Sequence, residues 1–227
     1  MTMETGSRAA GRQQLSEDVA AYVREMIISG RARPGDFLRT EPIAKAVGVS
    51  NTPVREGLLI LSGEGFVELV PRRGFVVAEF TKQDVRDLFW AQAVLAAELT
   101  RRAAENITAA QITQLREIFA GHRAALESGD RDGTVRYGHE FHRAVNIASG
   151  SRRLAMMLAS IVRQLPNRFY NDIEGHTDDT MDSHPKIIEA LAAHDGERAA
   201  DMMREHIMSG AEELVSMLAD QGMWPDD

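Results

Sequence analysis

The strongest constraint on the fold is a short segment in the first quarter of the chain, running from Ala44 to Leu58. Gly48 lies where the chain must leave one helix in a left-handed conformation, which glycine adopts at little cost. Ser50 follows as a candidate N-cap of the next helix, and Pro53 falls in its first turn, where a missing N–H costs nothing. The segment therefore predicts a helix, a tight turn and a second helix.

The second of these helices has two chemically different faces. Val54, Leu58 and Leu61 recur at helical spacing and predict a buried face. The opposite face carries, in the first turn, Ser50, Asn51, Thr52 and Arg55. Hydroxyl, amide and guanidinium groups at a helix N-terminus suit contacts with phosphates and base edges, so this face indicates DNA binding. The alternative is a solvated face on which Arg55 pairs with a neighbouring glutamate, Glu25 or Glu56.

The flanking residues complete a winged helix-turn-helix. Residues 1–14 lack apolar periodicity and predict a flexible tail, after which Ser16 is the candidate N-cap of a first helix. Thr40 is the candidate cap of a short second helix, which precedes the turn at Gly48. Two β-branched and aromatic runs, residues 66–70 and 75–78, flank a Pro/Gly turn and predict a β-hairpin. We expect residues 15–78 to form one DNA-binding domain.

From residue 79 to residue 227 the pattern is helical throughout. Segments with apolar residues at helical spacing begin near residues 81, 108, 130, 151, 177 and 195, with breaks at glycine or asparagine between them. This predicts a bundle of about six helices. The expected fold class is mainly α, with an N-terminal winged helix-turn-helix that includes a small β-hairpin and a C-terminal all-α helical bundle.

Charge and composition narrow the class of protein. The chain has no cysteine, which excludes disulfides and thiolate metal ligands. The net charge is −8, but residues 1–78 carry ten Lys and Arg against nine Asp and Glu, so the excess of acidic residues lies in the helical part. An acidic effector domain joined to a nearly neutral DNA-binding domain fits these counts, as does ordinary solvated surface. No secretory signal or long apolar stretch is present, so we expect a cytoplasmic protein without membrane contact.

These motifs resemble a known family. Residues 34–38, 44–58, 64–68 and 73–77 are similar to the winged helix of GntR-type transcriptional regulators, and the helical remainder resembles the FCD effector domain of the FadR-like subfamily. The resemblance implies a homodimer that binds a palindromic double-stranded DNA operator, whose affinity a small-molecule effector alters. At matching positions it implies major-groove or phosphate contacts by Ser50, Asn51, Thr52 and Arg55. It implies a wing tip for the minor groove at Arg72, Arg73 and Gly74.

Asn51 departs from the family pattern, which usually has arginine at this position. Arginine reads guanine through two hydrogen bonds, whereas asparagine suits the N6 and N7 atoms of adenine. We therefore expect a shifted half-site preference.

The resemblance also implies a metal site in the helical domain. Three histidines at matching positions, each on a different predicted helix, would bind a divalent metal: His142, His184 and His206. Isolated histidines on amphipathic helices are more often inert, and the acidic residue that the family places before the first histidine is here Gly138. His139 is the candidate substitute, since side chains three positions apart are neighbours on a helix. A nitrogen-rich site favours Zn²⁺ or Ni²⁺ over Mg²⁺ or Mn²⁺, and no organic cofactor is expected.

The effector site is less well determined. Relatives have arginine and glutamate where this chain has Gln92 and Ala96. Arg163, Arg168 and Gln92 are therefore the candidate groups for binding an effector, and an organic acid is the candidate effector. We expect the nearby large apolar side chains to pack in the core rather than contact the ligand: Phe89, Trp90, Phe141, Met156 and Phe169.

Two other classes of function compete with a regulator. A metal-dependent hydrolase could use a three-histidine site with an open position, although no dedicated base is spaced on the same helix faces. A helical protein-interaction module would expose the apolar face of residues 212–224.

Overall fold

The computed structural model describes residues 4–165, 178–220 and 222–224. The chain divides into two compact units, one comprising residues up to 81 together with those from 217 onward, and the other comprising residues 82–216. The first unit contains α1 (Glu4–Ile28), β1 (Phe37–Leu38), α2 (Thr40–Val47), α3 (Asn51–Gly63), β2 (Val67–Val70) and β3 (Gly74–Val77). The following helices are α4 (Lys82–Asn106), α5 (Ala109–Ser128), α6 (Arg131–Ala148), α7 (Arg152–Val162), α8 (Asp178–Ala192) and α9 (Gly196–Asp220). None of the described helices is long and apolar enough to cross a membrane.

The predicted turn between α2 and α3 is confirmed. Gly48 has φ 78°, and its N–H donates to the carbonyl of Ala44 at 2.9 Å. The same carbonyl also accepts from the Val49 N–H at 3.0 Å, so backbone donors of the turn satisfy the end of α2. Val54, Leu58 and Leu61 are fully buried, so α3 packs its apolar face inward as its spacing predicts.

The wing contains one more strand than the sequence predicts. β2 and β3 form the expected antiparallel hairpin, and β1 pairs with the other edge of β3, giving the strand order β1-β3-β2. β1 is only two residues long and lies just after Pro34 and Gly35. Such a short run carries no detectable alternation, because a period of two residues needs several residues to be recognised.

The start of the first helix differs from the prediction. α1 begins at Glu4 instead of Ser16, so residues 4–14, which were expected to form an irregular tail, are helical. Alanine, arginine and glutamine in this stretch are good helix formers, and their intrinsic preference does not depend on an apolar face. The hydroxyl of Ser16 donates instead to the Glu56 carboxylate of α3 at 2.8 Å.

The predicted caps Thr40 and Ser50 make no capping hydrogen bond with their side chains, and Thr40 is the first residue of α2.

A glycine allows α1 and α3 to approach closely. A Cβ built on Gly57 would lie 2.7 Å from Val19 Cγ1 and 2.8 Å from the Ser16 carbonyl oxygen. Contacts of this length are not tolerated in a packed interior, so this contact surface requires a residue without a side chain. The close approach of the two helices fixes α3 against the rest of its unit.

The second unit is a helical bundle with one continuous apolar core. Side chains from α4, α5, α6, α7, α8 and α9 contribute to this core. Thr108 and Gln111 form a capping box at the start of α5, and the Asp130 side chain accepts from the Gly133 N–H to cap α6. The apolar side chains Leu214 and Val215 of α9 are buried, as is Leu218, which belongs to the first unit. This helix therefore does not present the exposed face that an interaction module requires.

We predict that Gly57→Ala destabilises the protein. Alanine gains about 1 kcal/mol in helix propensity, but overpacking against α1 costs about 1–3 kcal/mol, so the midpoint of urea unfolding falls. The matched control is Gly63→Ala in the same helix, where a Cβ would meet no atom within 4 Å. A higher midpoint for Gly57→Ala than for wild type would contradict the close approach of the two helices.

Candidate DNA interface and histidine site

The first turn of α3 presents polar side chains to solvent. Ser50, Asn51, Thr52 and Arg55 are all exposed. The alternative pairing of Arg55 with Glu56 or Glu25 is not observed: the Glu56 carboxylate accepts from Ser16, and Arg55 has no ion pair among the described residues. The predicted DNA-contacting face of α3 is therefore accessible, with its guanidinium group available to an external acceptor.

The wing tip has an unusual backbone conformation. Arg72 has φ 64° and Gly74 has φ 104°, so two residues of the turn adopt left-handed or glycine-like angles. The Arg73 guanidinium lies 4.5 Å from the centroid of the Phe37 ring, within the range of a cation–π contact. Phe37 belongs to β1, so this additional strand holds Arg73, one of the two wing arginines, in place. Both arginines are exposed.

Three histidines meet in the helical unit. His142 on α6, His184 on α8 and His206 on α9 bring one ring nitrogen each to within 4.8 Å of the others. The Nε2 atoms of His184 and His206 are 3.2 Å apart, and those of His206 and His142 are 3.4 Å apart. The His184 ring stacks on Phe141, with 3.9 Å between the ring centroids. The structure thus brings together the three residues that the sequence analysis assigned to a metal site.

Burial favours the neutral form of two of these imidazoles. Burial lowers the pKa of His142 and of His184 well below its usual value, and the neighbouring His206 lowers both further. A neutral imidazole keeps a lone pair for a metal ion, so binding at neutral pH does not require the displacement of a proton.

Two of the three nitrogen–nitrogen separations fit a metal ion. Two ligands about 2.0–2.1 Å from zinc in a tetrahedral arrangement lie roughly 3.3–3.4 Å from each other. This value is close to the Nε2–Nε2 separations of 3.2 and 3.4 Å, and the third pair of nitrogens lies within 4.8 Å. A single proton on Nε2 of His206 can be donated to only one of its two neighbours, whereas one cation would satisfy all three nitrogens. A metal held here would polarise a ligand oxygen bound at an open position.

Two further histidines surround this group. His139 lies outside the group of three, although burial also lowers its pKa and its side chain lines the adjacent cavity. His122 on α5 is completely buried, with its ring centroid 5.8 Å from that of His184. The sequence analysis missed His122. Its position seven residues after Leu115, on the buried face of α5, is the signal that could have identified it.

A cavity of about 710 Å³ adjoins the histidines. His142 and His206 form part of its wall, as do Gln92, which is buried, and Arg163, which is exposed. Two of the candidate effector residues therefore line the same cavity as His142 and His206, and the third, Arg168, lies outside the described residues.

The prediction for the large apolar side chains is only partly right. Phe141 is fully buried, and Phe89 is buried but also lines the cavity. Trp90 and Met156 are 62% and 59% exposed, so they are not core residues, and Met156 lines the cavity. Helical spacing places a residue on a face but does not show whether a neighbouring helix covers that face. Phe169 lies outside the described residues.

We predict that acid destabilises the helical unit through its buried histidines. Burial lowers the pKa of His122 to about 4, whereas in the unfolded chain it takes up a proton near pH 6.5. Between these values the unfolded state binds more protons, so the free energy of unfolding decreases as the pH falls, by up to about 1.4 kcal/mol per pH unit for each such histidine.

Urea unfolding of the wild type and of His122→Phe between about pH 8 and about pH 5 measures this effect. The variant has a ring of similar shape that does not titrate, so its stability should change less with pH. Parallel curves for the two proteins would contradict the assignment of His122 as a buried neutral imidazole.

Comparison with known proteins agrees with both halves of the structure. The profile of the FCD domain matches residues 87–209, and that of the bacterial regulatory proteins of the gntR family matches residues 15–77. The HTH-type transcriptional repressor RspR of Escherichia coli (strain K12) is 23% identical over 226 residues, which cover 99% of this chain and 98% of that protein. A probable D-xylose utilization operon transcriptional repressor of Paenarthrobacter nicotinovorans is 27% identical over 208 residues, 90% of this chain and 91% of that protein.

A solved structure supports the same assignment. The structure of E. coli McbR/YncC has a TM-score of 0.63 and 25% sequence identity, covering 91% of this chain and 98% of the other. The chain therefore belongs to the GntR family of transcriptional regulators, with an FCD domain as its helical unit.

Proposed function

We propose that this regulator is a cytoplasmic repressor that binds a palindromic operator as a homodimer. The observation that supports this most directly is the exposed first turn of α3, where Arg55 has no ion pair among the described residues. Two copies related by a two-fold axis would place two such turns in successive major grooves of a palindromic site. The name of RspR, a repressor that aligns with nearly the whole chain, supports repression over activation.

The side chains of α3 and those of the wing are suited to different contacts with DNA. Asn51 and Arg55 can read base edges through paired hydrogen bonds, while the hydroxyls of Ser50 and Thr52 suit phosphate oxygens. Arg72 and Arg73 add positive charge at the wing and contribute mainly salt-dependent affinity. Gly74 permits the sharp turn that brings these arginines to the tip.

We propose further that the helical unit binds a divalent metal, Zn²⁺ or Ni²⁺, and a small organic acid. His142, His184 and His206 would hold the metal, which supplies a Lewis-acidic position for a ligand oxygen. Gln92 can donate to a bound ligand from the cavity wall, and Arg163 can pair with a carboxylate. The ligand would shift DNA affinity by its differential affinity for two states of the dimer, an effect of typically 1–3 kcal/mol.

The alternative of a metal-dependent hydrolase has less support. A hydrolase needs a general base near the metal, and within the described chain no carboxylate joins the histidine group. Because the same chain carries a winged helix-turn-helix, the histidine group can have a regulatory role without catalysing a reaction.

We predict that Arg55→Ala weakens operator binding. Loss of a paired contact to a base edge costs about 1–3 kcal/mol, or about a tenfold to hundredfold increase in Kd. Fluorescence anisotropy with a selected operator at fixed salt measures the change. The matched control is Arg116→Ala on α5, which removes an equally exposed arginine from the other unit and should leave Kd unchanged. Wild-type affinity in Arg55→Ala would contradict the proposed interface.

We predict that Asn51→Arg changes the preferred operator. Arginine favours guanine and asparagine favours adenine, so the base selected at one position of each half-site should change from adenine to guanine. Selection from a randomised DNA library, sequenced for wild type, Asn51→Arg and Arg116→Ala, measures this. If Asn51→Arg selects the wild-type sequence, Asn51 does not contact a base.

A further inference from the structure

Two aromatic rings close the base of the wing. Phe66 precedes β2 and Phe80 follows β3, and their rings stack with 5.1 Å between the centroids and 28° between the planes. The Ala78 N–H donates to the Phe66 carbonyl at 3.0 Å, so backbone and side chains close the hairpin at the same end. Aromatic pairs of this kind add to the free energy of packing. The two arms of the wing are therefore fixed at the end opposite Arg72 and Arg73.

The same aromatic pair is joined to the end of α3. The Arg24 guanidinium lies 5.7 Å from the centroid of the Phe66 ring and forms an ion pair with the Glu64 carboxylate. Glu64 is the residue that follows α3, and its N–H donates to the Ile60 carbonyl at 3.1 Å. Both side chains of the ion pair are largely buried, so salt screens their attraction less than it would at the surface. The base of the wing and the end of α3 thus belong to one packed group.

A residue from the C-terminal end of the chain completes this group. The Nε1–H of Trp224 donates to the Phe80 carbonyl at 2.7 Å, and both residues are half-buried. Both also belong to the first unit, which includes the residues from 217 onward. Neither lies within the segments that match the family profiles, residues 15–77 and 87–209. The contact is therefore a feature of this chain that the family assignment does not supply.

We propose that Trp224 is a positioning residue for DNA binding, which holds the wing in the orientation that reaches DNA. Its indole N–H fixes the carbonyl of Phe80, the Phe80 ring stacks on Phe66, and the hairpin that starts after Phe66 carries Arg73 at its tip. Packed side chains and a hydrogen-bonded hairpin form a continuous physical link from the indole to the tip. This inference rests on the proposed wing contact and assigns a part in it to the end of the chain.

The test is a double-mutant cycle on operator binding, measured by fluorescence anisotropy with the full-length protein. Trp224→Phe removes the N–H and retains a ring, and loss of one hydrogen bond should raise Kd about twofold to tenfold. In an Arg73→Ala background the same change should have no effect, because the wing contact is already lost. In an Arg55→Ala background it should keep its full effect, because Arg55 belongs to α3. The matched control is Trp90→Phe on α4, an exposed tryptophan of the other unit, which should leave Kd unchanged.

A second variant removes the hydrogen bond and keeps the shape of the side chain. Benzothienylalanine, introduced at position 224 by amber suppression, has the two fused rings of tryptophan with sulfur in place of the indole N–H. It should raise Kd as Trp224→Phe does. Because it fills the same space, this variant remains decisive if Trp224→Phe does not fold.

The outcomes separate this inference from the proposed function. Wild-type Kd in both variants of position 224 overturns the positioning role and leaves the DNA interface in place. An equal increase in Kd in the wild-type, Arg73→Ala and Arg55→Ala backgrounds overturns action through the wing, because a general loss of folded protein would produce the same result. Wild-type affinity in Arg73→Ala overturns the wing contact and this inference with it, while Arg55→Ala still tests α3. An effect that disappears only in the Arg73→Ala background confirms the assignment of Trp224.

Discussion

The burial of imidazole rings inside a helical bundle constrains the second unit more than any other interaction. His184 is fully buried, stacked on Phe141 and next to His206, so its ring has no access to the water that would solvate a positive charge. Burial lowers the pKa of His184 well below its usual value, so the helices pack around the ring in its neutral form. The packing of this unit therefore fixes the position of the imidazole lone pairs, and the cavity adjoins that position.

A different constraint fixes the DNA-binding unit. α1 and α3 pack at a distance that only Gly57 allows, and the hydroxyl of Ser16 bonds to Glu56 across the same contact. This bond occupies the carboxylate next to Arg55 in sequence. As a result, the Glu56 carboxylate, which could have neutralised Arg55 within the same helix, is directed toward α1. The Arg55 guanidinium therefore remains available to an external acceptor.

The sequence predicted the elements of the fold well because their signals are local. Glycine and capping residues mark the ends of α5 and α6, and the apolar residues of these helices recur at helical spacing. β1 was missed because two residues carry no periodicity, and the helical start of α1 was missed because the prediction relied on an apolar face rather than on helix propensity. Neither the two-residue strand nor the start of α1 leaves a periodic pattern of apolar residues, and such a pattern is the signal on which the prediction relied.

The site was predictable only in part, for a related reason. The resemblance to GntR-type regulators identified His142, His184 and His206, but spacing along one chain gives no distances between helices. His122 and the exposure of Trp90 and Met156 depend on which helices cover which faces, and this is determined by the packing of the whole bundle. The identity of a residue such as Gly138 is visible in the sequence. Its consequence becomes clear only beside the cavity, where the charged lining residues other than histidine are arginines and no carboxylate of the described chain lines the wall.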